Sequence, residues 1–532
     1  MNITSLPFHQ LVKLSGVLLI FLSFATVSTH DFELHFVNSD CMYLPSIYRD
    51  IFQSNNSIDG WSFNAAPNVF PDMFLYFLLM AITNDFVASS ILFAVIQYLI
   101  IATLVDRIFI KIHSNSNTTQ RTLVQLMLLI PHTFTVFTHD FLLHFQFLSN
   151  AYHLGAMVNT LLAWYILIHL QEAEARKNIY KWIPLYFLFL FVASVSDKLF
   201  WLLFLAPALV YLIFYLQHGK TKKLIILISS ILVSFLLSAI TLNNIRSTAP
   251  KIDSPFRNMS FEYIDESWQH FTRQIGELLA QINMKSFFLL LVGFALIILI
   301  FKSYRAFIRL CSRKKNSANQ IQAVFLSTSV LLGMIAPILN GSYEGDDCIR
   351  YNFPAMIIAL IALSYFIASK LSFHFPKITL LLLLMLNGTV LIAFLRKHDA
   401  FAEKWYLYPQ ETREIDALAA QHPLKAGVAL YWAAKKNHMF NRSDLKILPI
   451  LDNRGMYVHA NNRNWYLFDE ETQQQQTFNF AIINYDEQIE ALEARFQQKC
   501  EIVQYGETRI MLTPEFYFHP ETELIELVKK PS

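Results

Sequence analysis

Apolar and polar positions along this chain fall into long blocks. Through the first 396 residues, apolar runs recur at 11–28, 86–105, 122–138, 153–170, 180–196, 199–217, 224–242, 286–302, 321–340, 353–370 and 377–395. Each is close to the length of about 20 residues that a helix needs to cross a bilayer, so the pattern predicts about eleven spans. Lys13 ahead of the first run also fits a signal peptide, which leaves the orientation of the rest unchanged. Basic residues crowd alternate connections: Arg107, Lys111 and Arg121; Arg176, Lys177 and Lys181; Lys220, Lys222 and Lys223; and Lys302 through Lys315. The other connections hold fewer, among them Arg49, Lys198 and Arg350. Lysine and arginine accumulate on the cytoplasmic side, so the N-terminus is expected inside and the C-terminal part outside.

Two outer segments have a pattern of their own. Residues 29–85 form a long acidic loop, with Asp31, Glu33, Asp40, Asp50, Asp59, Asp72 and Asp85. Its stretch 71–83 is apolar but too short to cross, and counting it as a span would invert every basic connection after it. It reads as a helix on, or dipping into, the outer surface. Within 243–285, Phe261, Ile264, Trp268, Phe271, Ile275, Leu278 and Ile282 alternate at spacings of three and four. That spacing predicts an amphipathic helix packed on protein or lipid.

From about residue 397 the blocks shorten. AGVALYW, LKILPIL, FNFAIINY, EIVQYG and TRIMLTP read as strands, and 486–498 as a helix. The organisation is therefore a transmembrane domain, 1–396, followed by a soluble α/β domain, 397–532. LYWAAKK (430–436) and HANNRNWY (459–466) gather Trp, Tyr and Asn, which suit a sugar face or ordinary packing equally.

Composition agrees with a membrane protein. The 532 residues are 54% hydrophobic and 15% charged, against about 25% charged in soluble chains, and mean hydropathy is +0.37. A net charge of +2 suggests no nucleic-acid partner. Four cysteines without a CxxC make neither a disulfide framework nor a zinc site. Cys41 and Cys348, both expected outside, are candidates for a bridge, with Cys500 as the competitor.

Within the spans the polar residues Gln97, His132 and Asn159 are scattered, with no ionisable series of the kind that marks an ion path. Ionisable residues gather instead at the outer ends of spans: Asp40, Asp140, His153, Asp197, Lys198, Asp346, Asp347 and Arg350. Such a boundary site suits a substrate with a lipid tail and a polar head. Asp40 is a candidate general base. Arg350 is a candidate phosphate ligand through its planar fork of donors, with Tyr351 beside it. Lys198 and His153 are further substrate-binding candidates. Each also has an ordinary role open to it: a solvated acid, a salt bridge, a snorkelling lysine, a capped histidine.

The long first outer loop with its Asp, the surface helix after it, the Arg-Tyr-x-x-Pro segment (Arg350, Tyr351, Pro354) opening a late span, and the outer tail together resemble the GT-C superfamily of membrane glycosyltransferases. The tail, with YWAAK and NNRNWY, is similar to tails of a bacterial branch of that group. The resemblance implies a polyprenyl-phosphate sugar as donor and a glycan, lipid or protein as acceptor. It implies a multi-pass position in a bacterial inner or plasma membrane, with the chemistry on the periplasmic side. It carries Asp40 over as base and Arg350 as a phosphate ligand. Many relatives have two adjacent acids where this chain has Ser39-Asp40-Cys41, so Asp31 and Glu33 are the alternatives. No cofactor is implied, and a divalent metal is compatible. The alternatives are a flippase for lipid-linked sugars, which would need a polar path through the spans, and a non-catalytic envelope assembly protein, in which Asp40, Lys198 and Arg350 need not converge.

Overall fold

The structure is a computed structural model that describes residues 7–138, 142–172, 181–218, 221–247, 261–280, 284–312, 314–341, 343, 345, 348–370, 388, 391–392, 395, 404–451, 455–469, 472–519 and 527–529. The helical part runs α1 (Phe8–Thr26), α2 (Thr29–Phe36), α3 (Tyr43–Tyr48), α4 (Phe74–Thr83), α5 (Phe86–Ile112), α6 (Thr118–Thr138), α7 (Leu142–Leu148), α8 (Leu154–Glu172), α9 (Ile183–Ser196), α10 (Ala206–Tyr215), α11 (Thr221–Ser247), α12 (Phe261–Ala280), α13 (Met284–Cys311), α14 (Ala318–Leu339) and α15 (Ile349–Lys370). Local chemistry fixes several starts. Asp85 caps α5 by accepting from the Ala88 amide at 2.7 Å, and Ser317 and Gln320 form a reciprocal capping box on α14.

Among the described residues, α1, α5, α8, α11, α13, α14 and α15 are long and apolar enough to cross a membrane. The runs expected at 180–196 and 199–217 fold as shorter apolar helices, Ile183–Ser196 and Trp201–Tyr215. Helix α9 has 14 residues, about 21 Å at 1.5 Å per residue, short of a hydrocarbon core of about 30 Å. The turn Trp201–Leu205 runs directly into α10, and polar Asp197 and Lys198 lie between the two apolar helices. The run at 377–395 lies outside the described residues apart from positions 388, 391, 392 and 395. Helices α5 and α13 run past their apolar cores, so Arg107, Lys111, Lys302, Arg305 and Arg309 stand on helix ends rather than in loops.

Burial separates the inside of the bundle from its rim. The apolar window is 83% buried in α15 and 78% in α8, but 33% in α11 and 28% in α13. Leu236 and Ile240 on α11, and Leu290, Phe294 and Ile297 on α13, point outward, which is affordable where the surroundings are lipid. Helix α15 is the axis, packed on α6, α8, α13 and α14. At one end of the bundle the Asp106 carboxylate takes Lys13 Nζ at 3.2 Å and both Nε and Nη2 of Arg121, at 2.9 and 2.8 Å. Three helices are joined there by one buried ion network, so Lys13 and Arg121 serve packing as well as orientation.

The first outer segment is more structured than a loop: α2, α3 and α4 lie within it, with α4 entered through the wide turn Val69–Met73. Helix α12 forms where the three-four spacing predicts it, but its apolar stripe is not fully covered. Phe261 and Trp268 stay exposed while Ser267 and Gln274 are buried, bonded to the backbone N–H and the hydroxyl of Tyr343 respectively.

The C-terminal part adds α16 (Gln410–Ala419), α17 (Tyr431–Phe440), α18 (Asn464–Leu467) and α19 (Asp486–Phe496). Its strands are β1 (Ala426–Leu430), β2 (Lys446–Leu451), β3 (Gly455–Met456), β4 (Phe478–Ile483), β5 (Glu501–Tyr505), β6 (Thr508–Phe518) and β7 (Leu527–Lys529). The sheet order is β3-β2-β1-β4-β6-β5, with β7 on β6. Strand β1 is parallel to both β2 and β4, and parallel neighbours need a crossover; α17 is the crossover from β1 to β2. The expected strand AGVALYW is thus corrected: it ends at Leu430, and Tyr431 and Trp432 open a helix. One sheet face packs on α16 through Ile415, Leu418, Ile447 and Ile510. The other shares a core with the first outer segment, where Tyr43, Ile47, Trp61 and Tyr76 join Val428, Ile450 and Phe478. The Lys404 ammonium adds a tie, donating to the carbonyls of Phe24 and Ala25 at the end of α1, at 2.9 and 3.1 Å.

Candidate functional site

Asp40 lies in the turn between α2 and α3. The Asn38 side-chain oxygen accepts from the amides of Asp40 and Cys41, at 3.1 and 3.0 Å, an Asx turn that fixes the backbone. Two groups from distant sequence converge on its carboxylate. Arg350, near the start of α15, donates through Nη1 to Oδ2 at 2.8 Å. Tyr431, the first residue of α17, donates through its hydroxyl to Oδ1 at 2.7 Å. Ser39 in turn donates to the Tyr431 carbonyl. Burial alone would raise the Asp40 carboxyl, but Arg350, Tyr431 and the nearby His459 outweigh it and hold the group below the usual carboxylate range. Asp40 is therefore ionised at neutral pH.

The Arg350 guanidinium sits 5.7 Å from the ring of Tyr152 and 5.2 Å from that of Tyr351. Its Nε is buried and has no hydrogen-bond partner among the described residues. The Tyr351 ring lies 5.1 Å from that of His153, and His153 Nδ1 hydrogen-bonds Asp197 Oδ2 at 2.7 Å. His153 has the left-handed φ of 65° in the turn ahead of α8. Lys198 follows Asp197 and is half-buried. Asp72, in the turn before α4, accepts from the Ala151 amide at 3.3 Å. Burial pushes its carboxyl up to about 7, with the Ala151 bond opposing and Asp197 adding. Asp72 packs so closely on Gly155 that a Cβ there would lie 1.8 Å from its Oδ2.

Of the residues singled out from sequence, Asp40, Arg350, Tyr351 and His153 thus form one continuous cluster, and Lys198 adjoins it in sequence through Asp197. Asp140, Asp346 and Asp347 lie outside the described residues. Asp31 is engaged with Ser28 at the start of α2, at 2.5 Å. Glu33 is partly buried, which raises its carboxyl, and Lys436 and Arg413 oppose that. The Cys41–Cys348 bridge is not formed, and Cys41 is buried. Among the described residues, no group of three or more His, Cys, Asp and Glu side chains is placed to hold a metal ion.

Sequence reasoning missed three groups. Tyr431 stood inside an apparent strand. Lys435, one helical turn on, is fully buried and donates to the Ala460 carbonyl at 2.5 Å; burial lowers its ammonium to about 7 and Asp40 opposes the shift. Asp50, read as one more loop acid, is buried and accepts from Trp61 Nε1 at 2.5 Å, Asn56 Nδ2 at 2.7 Å, and Asn462 Nδ2 and Trp465 Nε1 at 2.8 Å each. The NNRNWY motif is accordingly spent on packing. It also exchanges backbone bonds with the first outer segment, Ser62 N to Asn461 O at 2.9 Å and Arg463 N to Gly60 O at 2.7 Å.

No family model matches the chain, and no curated protein matches it. Among solved structures, it is similar to the crystal structure of ArnT from Cupriavidus metallidurans bound to undecaprenyl phosphate. The likeness has a TM-score of 0.50 at 11% identity and covers 94% of this chain and 97% of that one. At that identity it speaks to the fold alone: a polytopic helical membrane protein with a C-terminal sheet domain.

Proposed function

We propose that this protein transfers a sugar from a polyprenyl-phosphate donor to an envelope glycan, lipid or protein acceptor at the outer face of the membrane. The observation that carries the reading is the meeting of Asp40 with Arg350, an acid and a phosphate-type ligand 310 positions apart in sequence. The unpartnered Nε of Arg350 supports it, because a guanidinium edge with a free donor suits a phosphate oxygen. So does the fold shared with a protein bound to undecaprenyl phosphate.

In this mechanism an acceptor hydroxyl attacks the anomeric carbon. The bond from that carbon to the phosphate oxygen breaks, and its electron pair leaves with the polyprenyl phosphate. The hydroxyl proton passes to Asp40, and Arg350 offsets the charge on the departing phosphate, the larger electrostatic contribution. Asp40 begins with both oxygens occupied. A donor phosphate competes for the Arg350 fork, and a carboxylate relieved of that partner is a stronger base. Tyr351 and His153 line the sugar side, and Lys198 is a second cation for the phosphate. The N-terminus is cytoplasmic and the C-terminal domain extracytoplasmic, in the inner or plasma membrane of a bacterium.

The test compares envelope glycans by mass spectrometry in cells with the wild-type protein and with Asp40→Asn at equal abundance. Loss of one sugar mass from a defined glycan is the expected result. An unchanged profile, with Arg350→Ala silent as well, overturns the reading in favour of a non-catalytic assembly role.

A further inference from the structure

We infer that the C-terminal domain completes the active site, supplying Tyr431 as a positioning residue that fixes the Asp40 carboxylate for proton transfer. The inference rests on the reading of Asp40 as the base.

Tyr431 is the first residue of α17, and both its carbonyl and its hydroxyl bond the turn that carries Asp40. Ser39 donates to the carbonyl and the hydroxyl donates to Asp40 Oδ1. Two neighbouring residues of that turn are thus grasped by one tyrosine. Its ring packs edge-to-face at 5.0 Å against both Trp432 and Tyr457 and lies 6.1 Å from His459, which leaves the hydroxyl little freedom.

The helix behind it is anchored separately. Lys435 is on the same face, four positions on. Its ammonium lies 5.9 Å from the Tyr431 ring and 5.6 Å from that of Tyr43, and is tied to the Ala460 carbonyl. The domain as a whole is pinned by the Asp50 clamp on Asn462 and Trp465 and by Lys404 at the end of α1.

The consequence for Asp40 is geometric. A carboxylate held by Arg350 alone can rotate about its last bond. One held on both oxygens presents a defined lone pair, and it keeps that orientation through Oδ1 when the phosphate draws Arg350 away. The titratable and charged groups facing Asp40 are Arg350 on α15, Tyr152 before α8, Cys41 beside it, Tyr431 and Lys435 on α17, and Tyr457 and His459 after β3. Of the tyrosines among them, Tyr431 donates to the Asp40 carboxylate.

The experiment is a pH titration of the full-length protein in lipid nanodiscs, followed by infrared difference spectroscopy. The Asp40 band is the protonated-carboxyl signal that vanishes in Asp40→Asn. In Tyr431→Phe the ring contacts stay and one donor to the charged form is lost, so the midpoint moves up by about one pH unit, a tenfold change in the ionisation constant. Tyr457→Phe removes a hydroxyl from the same aromatic group and leaves the midpoint where it is. Should Tyr431→Phe fail to fold, Ser39→Ala loosens the same residue and gives a smaller shift of the same sign. An unmoved midpoint in the folded variant overturns the inference. This titration needs no transfer activity, so it and the glycan comparison fail independently.

Discussion

Replacing Asp50 with alanine is the cleanest way to ask how tightly the C-terminal domain is held. The carboxylate accepts four bonds, two from its own segment through Trp61 and Asn56, and two from the C-terminal domain through Asn462 and Trp465. Hydrogen bonds to a charged group contribute about 1.5–3 kcal/mol each. The two that cross between segments bear on docking. They do not add fully, because the donors left behind are partly rehydrated when the domain opens. A loss of about 3 kcal/mol of docking energy follows. That is roughly a 100-fold increase in the open population at 1.4 kcal/mol per tenfold. The assay is limited proteolysis under conditions where cleavage tracks the open population, scoring release of a fragment that carries the sheet. Asp50→Ala is expected to cleave about 100-fold faster than wild type. Asp50→Asn keeps one acceptor oxygen and falls between. A rate within about threefold of wild type for Asp50→Ala, a change of about 0.7 kcal/mol, would refute the clamp.

Four other outcomes follow from the same geometry. Arg350→Lys keeps a cation opposite Asp40 but loses the fork, so it is expected to accumulate normally and lose at least about tenfold in transfer, read by glycan mass spectrometry. Arg350→Ala strands a partly buried carboxylate and is expected to lower abundance as well, seen by immunoblot. Asp72 titrates near 7 in the folded chain against an ordinary value of 3.8, so the folded state holds its proton more tightly. The stability this confers is present at low pH and lost as pH rises toward and past 7. Thermal melts at about pH 5 and about pH 8 check it, with the wild type less stable at the higher value on this account and Asp72→Asn removing the difference. Gly155→Ala would drive a methyl into Asp72, and a lowered melting temperature with displaced His153 is expected; an unchanged melt would show that the contact is not tight.

Most of the helical part was legible because hydrocarbon demands a long apolar run and the sequence supplies one wherever α1, α5, α8, α11, α13, α14 and α15 lie. What composition does not mark is where a helix stops: the runs at 180–196 and 199–217 fold as the shorter helices Ile183–Ser196 and Trp201–Tyr215, on either side of Asp197 and Lys198. Tyr431 and Trp432 misled for a related reason. Aromatics favour strands, so AGVALYW reads as one element. The change comes at Leu430, extended at φ −65°, ψ 155°, after which Ala433, Ala434, Lys435 and Lys436 carry the helix. Asp40 and Arg350 could be named from charge, position and resemblance. Their contact, like that of Tyr431 with Asp40, joins positions hundreds of residues apart, and no local pattern encodes it. Asp50 was hidden for the opposite reason: acids in loops are usually solvated, and the indole and amide donors that bury this one come from the far end of the chain.

In the proposed mechanism two demands on Arg350 oppose one another. Bound to Asp40, the guanidinium keeps the carboxylate charged but weakly basic, because what stabilises the ionised form lowers its affinity for a proton. Bound to a donor phosphate, it serves the leaving group and withdraws from the base. The proton acceptor is therefore strengthened by the arrival of the group whose departure it assists. Such an exchange works only if the carboxylate does not turn away when its cation leaves, and Tyr431 and the pinned backbone of the Asn38 turn prevent that. On this view the C-terminal domain belongs to the chemistry through one hydroxyl, and the clamp at Asp50 and the tie at Lys404 are the means by which that hydroxyl is kept in place.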